Sequence, residues 1–203
     1  MTNPLQSQRQ IITQITNGLA DLDPADRNDP ARLALRRKLL LTLHVLFPTQ
    51  LLPALDLLDR GLLTKISLRR DDAEKTKMIS PQAYIVKSAV VKPRYAKSTN
   101  TQSQTTYLVQ LHAWNCSCAG FAYEAYGMDA ETALETDRVA AADAEAVFGG
   151  VSSVSIASSG EILPCCKHLL ACLLAEKWQK VLVNNVEERT CAREEYATFI
   201  ACI

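Results

Sequence analysis

The apolar positions of the first sixty residues recur at helical spacing. Between Leu5 and Leu22, the residues Ile11, Ile12, Ile15, Leu19 and Leu22 follow steps of three and four, which predicts one amphipathic helix. Asp23-Pro24 ends it. Asp29-Pro30 then opens a second helix, with a cap residue followed by proline at the first helical position. This helix runs to about Leu46, and its apolar residues Leu33, Leu39, Leu40, Leu43, Val45, Leu46 and Phe47 cover more than a narrow stripe. Such breadth implies either burial on two sides, the reading adopted, or docking onto another chain. Pro48 breaks the run. Leu51 to Leu58 predicts a short third helix closed by Asp59-Arg60-Gly61, with Gly61 in the place of a helix C-cap.

After Gly61 the pattern changes. Leu62 to Leu68, Ala83 to Val91 and Thr105 to Ala113 are rich in Val, Ile, Thr and Tyr, and Tyr107 to His112 alternates with a period near two. Three antiparallel strands joined by polar loops are expected. From Pro164 onward the spacing is helical again, with Leu169, Leu170, Leu173, Leu174, Trp178, Val181 and Leu182 on a broad apolar face. A further short helix is expected from Glu187 onward. The organisation read from this is a helical region at 1–60, a sheet at 61–122, an insertion at 123–163 and a helical segment at 164–203. The fold class is α+β, with a small antiparallel sheet and a long C-terminal helix.

Charge sharpens the picture. The net charge is zero, yet ten Lys or Arg between Arg60 and Lys97 face only Asp71, Asp72 and Glu74. With Tyr84 and Tyr95 interleaved, this region either contacts phosphates and stacks bases or forms a solvated pair of hairpins. Residues 124–163 reverse the sign: eight acidic residues are opposed only by Arg138, among many Ala, Ser and Gly. A mobile or partly helical insertion is expected there. No stretch approaches the 18 or so apolar residues of a spanning helix, and the N-terminal residues lack a secretory pattern, so a soluble intracellular protein without membrane contact is expected.

Seven cysteines are too few for a disulfide scaffold, and their number is odd. Two pairs stand out: Cys116-Ser117-Cys118 at the end of the third strand, and Cys166-Lys167-His168 at the start of a helix. Three thiolates and one imidazole fill a tetrahedral zinc site, and a one-residue separation lets both members of a pair turn toward one ion. Unpaired N–H groups in a helix's first turn also favour thiolate at Cys166. Cys172, Cys191 and Cys202 are read as core thiols, and Cys165 as a neighbour able to substitute for Cys166. A Cys166 nucleophile with a His168 base is rejected, because residues two apart in a helix point away from each other. Four protein ligands leave no position for water, so the site is expected to be structural and the protein not an enzyme.

Cys-x-Cys followed by Cys-x-His, with Ala171 three residues after the histidine, resembles the SWIM zinc finger. The run Leu52-Pro53-Ala54-Leu55-Asp56-Leu57-Leu58-Asp59-Arg60, with Tyr84-Ile85-Val86, Tyr107 and Cys116-Ser117-Cys118-Ala119-Gly120-Phe121-Ala122, resembles the SWIM-domain subunits of the Shu complex. The likeness covers about residues 50–122 and 162–180. It implies one structural zinc held by Cys116, Cys118, Cys166 and His168. It also implies a nuclear adaptor that pairs with a RecA-type recombinase paralogue and promotes recombinase filament assembly on single-stranded DNA in homologous recombination. The alternative is a SWIM adaptor of a ubiquitin-ligase or transposase-associated pathway. The 47 residues between Cys118 and Cys166 depart from a compact finger. Loop closure cost rises only logarithmically with length, so the insertion is compatible with metal binding.

Overall fold

The computed structural model describes residues 4–22, 29–69, 82–88, 105–126, 148–150, 163–179, 182 and 185–201. Three helices come first: α1 (Pro4–Ala20), α2 (Pro30–Leu46) and α3 (Leu51–Asp59). Asp29 caps α2 by accepting from the N–H of Ala31 at 2.9 Å, and Pro30 occupies its first turn. α3 ends in a Schellman motif. The N–H of Leu62 donates to Leu57 O at 3.0 Å and that of Gly61 to Leu58 O at 3.1 Å, with Gly61 at φ +60°, where glycine carries no Cβ penalty.

The sheet comprises β1 (Leu63–Leu68), β2 (Gln82–Lys87), β3 (Thr106–Gln110), β4 (Asn115–Cys116) and β5 (Val186–Cys191), in the order β4-β3-β2-β1-β5. Three pairings are antiparallel, but β5 runs parallel to β1, with Leu63 opposite Val186 and Leu68 opposite Cys191. The architecture is α+β. The sheet is mixed, which corrects the purely antiparallel expectation. The helix expected from Glu187 is instead β5 followed by α6 (Arg193–Ala201). Glu187 to Thr190 are exposed, so this edge strand shows no apolar alternation and is held by its backbone ladder to β1.

α4 (Ala119–Tyr126) follows β4 directly, and α5 (Lys167–Lys177) lies at the centre of the protein. Every residue of α5 from His168 to Ala175 is buried, and the helix packs on α3, β3, β4 and α1. It is shorter than the sequence implies: Trp178 is its C-cap, and Leu182 packs from beyond its end. One ion pair staples α5 to the sheet. Lys65 Nζ lies 2.8 Å from Glu176 Oε2, the same oxygen that accepts from the Tyr84 hydroxyl.

α2 departs from the expected two-sided burial. Only Leu43 is fully buried in it, with Leu39, Leu40 and Leu46 packed against the core, while Leu33, Leu35, Leu41 and Val45 are exposed. Within the acidic segment, Phe148 is wholly buried, its ring 5.6 Å from that of Phe47 and 4.7 Å from that of Trp114. Arg9 holds that turn, donating from Nε to Phe148 O at 3.2 Å and from Nη2 to Gly150 O at 2.6 Å. A Cβ on Gly150 would meet His112 O at 2.4 Å, so the close approach requires glycine. The remainder of residues 127–162 lies outside the described residues.

Candidate metal centre

The first cysteine pair is built by a short hairpin. Cys116 pairs with Val109 across β3 and β4. The next residue, Ser117, is zipped to Leu108 twice: its N–H donates to Leu108 O at 3.0 Å, and its Oγ accepts from Leu108 N at 3.0 Å. Successive side chains of an extended segment point to opposite sides, so fixing Ser117 outward turns Cys116 and Cys118 to the same inner side. Cys118 then starts α4. Its carbonyl accepts the first helical bond, from Ala122 N at 3.1 Å, and its Sγ accepts from Phe121 N at 3.3 Å. The sulfur thus replaces the oxygen of an ordinary N-cap side chain.

The second pair repeats this construction on α5. Cys166 is the N-cap, in extended backbone, and its carbonyl accepts from Leu170 N at 3.1 Å. The backbone N–H of Leu169 bonds to its thiol. His168, in the first turn, is buried and stacks on Tyr107 with ring centroids 4.4 Å apart. Two helix N-termini therefore converge on the cysteine sulfurs, and both dipoles favour negative charge there.

Cys116, Cys118, Cys166 and His168 are all buried, and their ligand atoms lie within 4.8 Å of one another. Nδ1 is the imidazole nitrogen near the thiols, 3.8 Å from Cys116 Sγ. A tetrahedral ion with bonds of about 2.3 Å to sulfur and about 2.0 Å to nitrogen separates its ligand atoms by about 3.5 to 3.8 Å. The cluster fits such an ion with small inward adjustments. This set can hold a metal ion.

The electrostatics suit a cation. The Cys118 thiol is held well below the ordinary range by hydrogen bonds from Cys116 and Cys166, against the opposing effect of burial. Cys116 is raised by its bonds to Cys118 and Cys166 and by burial. For Cys166 the bond with Cys116 pulls downward, but the bond with Cys118 and burial prevail, and the thiol is pushed up to about 11. The three sulfurs thus compete for protons within one buried cluster, and a cation would relieve that crowding.

Cys165 stays out of the cluster. It is buried with its Sγ 3.9 Å from Cys166 O, and its N–H donates to Glu124 Oε2 at 3.1 Å. Burial raises its thiol, as it does that of Cys172. Cys172 and Cys191 are buried in the core, and Cys202 lies outside the described residues. Sequence reasoning missed the neighbours that fix the site: Tyr107 against His168, Trp114 behind the hairpin, and α4 as a second capped helix. The spacing from Cys118 to Phe121, that of an N-cap to its third helical residue, was the one available signal for α4.

The basic region is rearranged. Tyr84 is buried with its hydroxyl on Glu176, which removes it as a base-stacking residue, and Lys65 is paired inside. Arg60 bonds Asp56 at 3.4 Å, whereas Arg70, Lys75, Lys77, Lys92, Arg94, Tyr95 and Lys97 lie outside the described residues. No helix among the described residues is long and apolar enough to cross a membrane. In comparisons with known proteins, no family model and no curated sequence matches this chain.

Proposed function

We propose that the chain is a non-enzymatic adaptor whose Cys116, Cys118, Cys166 and His168 hold one structural zinc ion in a SWIM-type finger. The observation that carries this reading is the buried Cys3His set at two helix N-caps. Four buried protein ligands fill a tetrahedral zinc and leave no position for a reacting water, which favours a structural role. Such sites contribute roughly 10 to 16 kcal/mol in isolated finger peptides, as much as a whole domain's stability. The zinc would thus weld the β3–β4 hairpin to α5, and a rigid junction of sheet and helix is what an adaptor presents to partners.

The resemblance extends the proposal to a nuclear subunit of a Shu-like complex. There it would pair with a RecA-type recombinase paralogue and promote recombinase filament assembly on single-stranded DNA. Any nucleotide site would belong to that partner, because the sequence contains no Gly-rich phosphate loop. Copurification of the tagged full chain tests this. A stoichiometric partner with a Walker-type ATPase fold is expected; a cullin or elongin-like partner would overturn the assignment to recombination.

A further inference from the structure

α2 presents an ordered line of apolar side chains on the face opposite the one it buries. Leu43 faces the core, whereas Ala34, Leu41 and Val45 are exposed, Leu41 at 65% and Val45 at 78%. These three are seven and four residues apart on one line along the helix, and Lys38, four after Ala34 and three before Leu41, completes the alternating spacing of a coiled-coil seam. Lys38 therefore stands within the line and Arg37 beside it, both exposed. The helix carries Arg32, Arg36, Arg37 and Lys38 and contains no Asp or Glu. Its first two turns gain little from the protein, since residues 30–35, 37 and 38 are all exposed. A helix of this length is marginal without a packed face.

We propose that the Ala34–Leu41–Val45 line is a docking seam for an amphipathic helix of a partner protein whose own apolar seam is flanked by acidic residues. Charge selects the occupant. In a helix pair, a cation within the seam and one beside it both need an anion across the interface, so Lys38 and Arg37 require Asp or Glu opposite them. A second copy of α2 would oppose cation to cation, which disfavours self-pairing. Single-stranded DNA would leave Leu41 and Val45 against phosphates, and a seam three side chains long is narrower than the apolar face of a membrane-lying helix. The inference stands on α2 alone and holds whichever complex the zinc reading assigns.

The test uses the full chain and a synthetic helix of about three heptads, with Leu at the seam positions and Glu at the flanks. Saturable binding is expected by fluorescence anisotropy. The variant Leu41→Asp/Val45→Asp should weaken it at least about tenfold. Arg37→Glu/Lys38→Glu should weaken it similarly and shift preference to the same peptide with Lys at the flanks. All four positions are exposed, so both variants should keep the parent's metal content and cooperative unfolding, with at most a modest fall in melting temperature where Val45→Asp opposes the helix dipole. Absence of saturable binding, equal binding of the Glu- and Lys-flanked peptides, or parent-like binding by both variants would overturn the seam. So would self-association abolished by the Leu41/Val45 variant. Retention of oligo-dT or phosphatidylserine vesicles that depends on Arg37 and Lys38, without peptide binding, would reassign the cations to phosphate.

Discussion

The indole Nε1 of Trp114 donates a 2.8 Å hydrogen bond to the carbonyl oxygen of Pro164. Each residue lies two positions before one of the two Cys/His pairs, so one bond sets the two halves of the candidate metal centre at a fixed separation. Trp114 adopts φ +48°, a left-handed conformation uncommon for a bulky residue. Its burial against Phe148 and its bond to Pro164 offset that strain. Trp114→Phe should destabilise the protein by about 1 to 3 kcal/mol, because it leaves a buried carbonyl unpaired. Trp114→Ala should cost about 3 to 5 kcal/mol. Urea unfolding of the metal-loaded protein measures both, and metal should also dissociate faster from each variant. Unchanged dissociation would mean that the bond does not position the ligands.

Metal content distinguishes ligands from neighbours. The parent should carry one zinc per chain by mass spectrometry under native conditions. Cys118→Ala and His168→Ala should lose it, whereas Cys165→Ala and Cys172→Ala should retain it, since their sulfurs stand outside the cluster. Retention in the first pair, or loss in the second, would refute the assignment.

Loading should depend on pH in a defined direction. In the metal-free protein the Cys118 thiol is lowered, while Cys116 is raised and Cys166 is pushed up to about 11. Binding needs the sulfurs as thiolates, and two of the three thiols are raised above the ordinary range, so binding should release protons and affinity should fall as pH falls. Calorimetry in buffers of different ionisation enthalpy counts those protons. A release near zero would show that the thiols are not the ligands.

The ion pair between Lys65 and Glu176 makes a separate prediction about stability. The side chains are only 12% and 21% exposed, and Glu176 also accepts from Tyr84. Glu176→Ala strands both a half-buried ammonium and the Tyr84 hydroxyl and should cost about 3 to 5 kcal/mol, whereas Lys65→Met with Glu176→Leu leaves only the hydroxyl unpaired and should cost about 1 to 3 kcal/mol. Thermal or urea unfolding of the single and double variants checks this. Zinc content should not change in either, because the pair lies outside the metal cluster.

The parts of this protein that were legible in its sequence are those encoded by neighbours along the chain. Asp29-Pro30 and Gly61 mark helix ends because capping is local chemistry, and the two Cys/His pairs that the fold brings together are visible because each needs only three consecutive residues. β5 is different. Its residues Glu187 to Thr190 are exposed and polar, and only the ladder to β1 makes them a strand. The left-handed Trp114 and the stacking of Tyr107 on His168 likewise depend on contacts across the fold. Of the exposed line on α2, the apolar breadth read from the sequence includes Val45 but neither Ala34 nor Leu41, and sequence spacing alone does not say which side the rest of the molecule covers.

The parallel pairing of β1 with β5 also governs when this protein can fold. Thr64 meets Glu187 across 123 positions of chain, with the hairpin, α4 and α5 all lying between. During synthesis, β1 leaves the ribosome long before its neighbour exists and presents an open hydrogen-bonding edge until then. Non-local pairing of this kind slows folding and prolongs the exposure of intermediates. The nascent chain should thus rely on early assembly of the Cys/His cluster, whose last member precedes β5, to hold a partial structure that awaits its final strand.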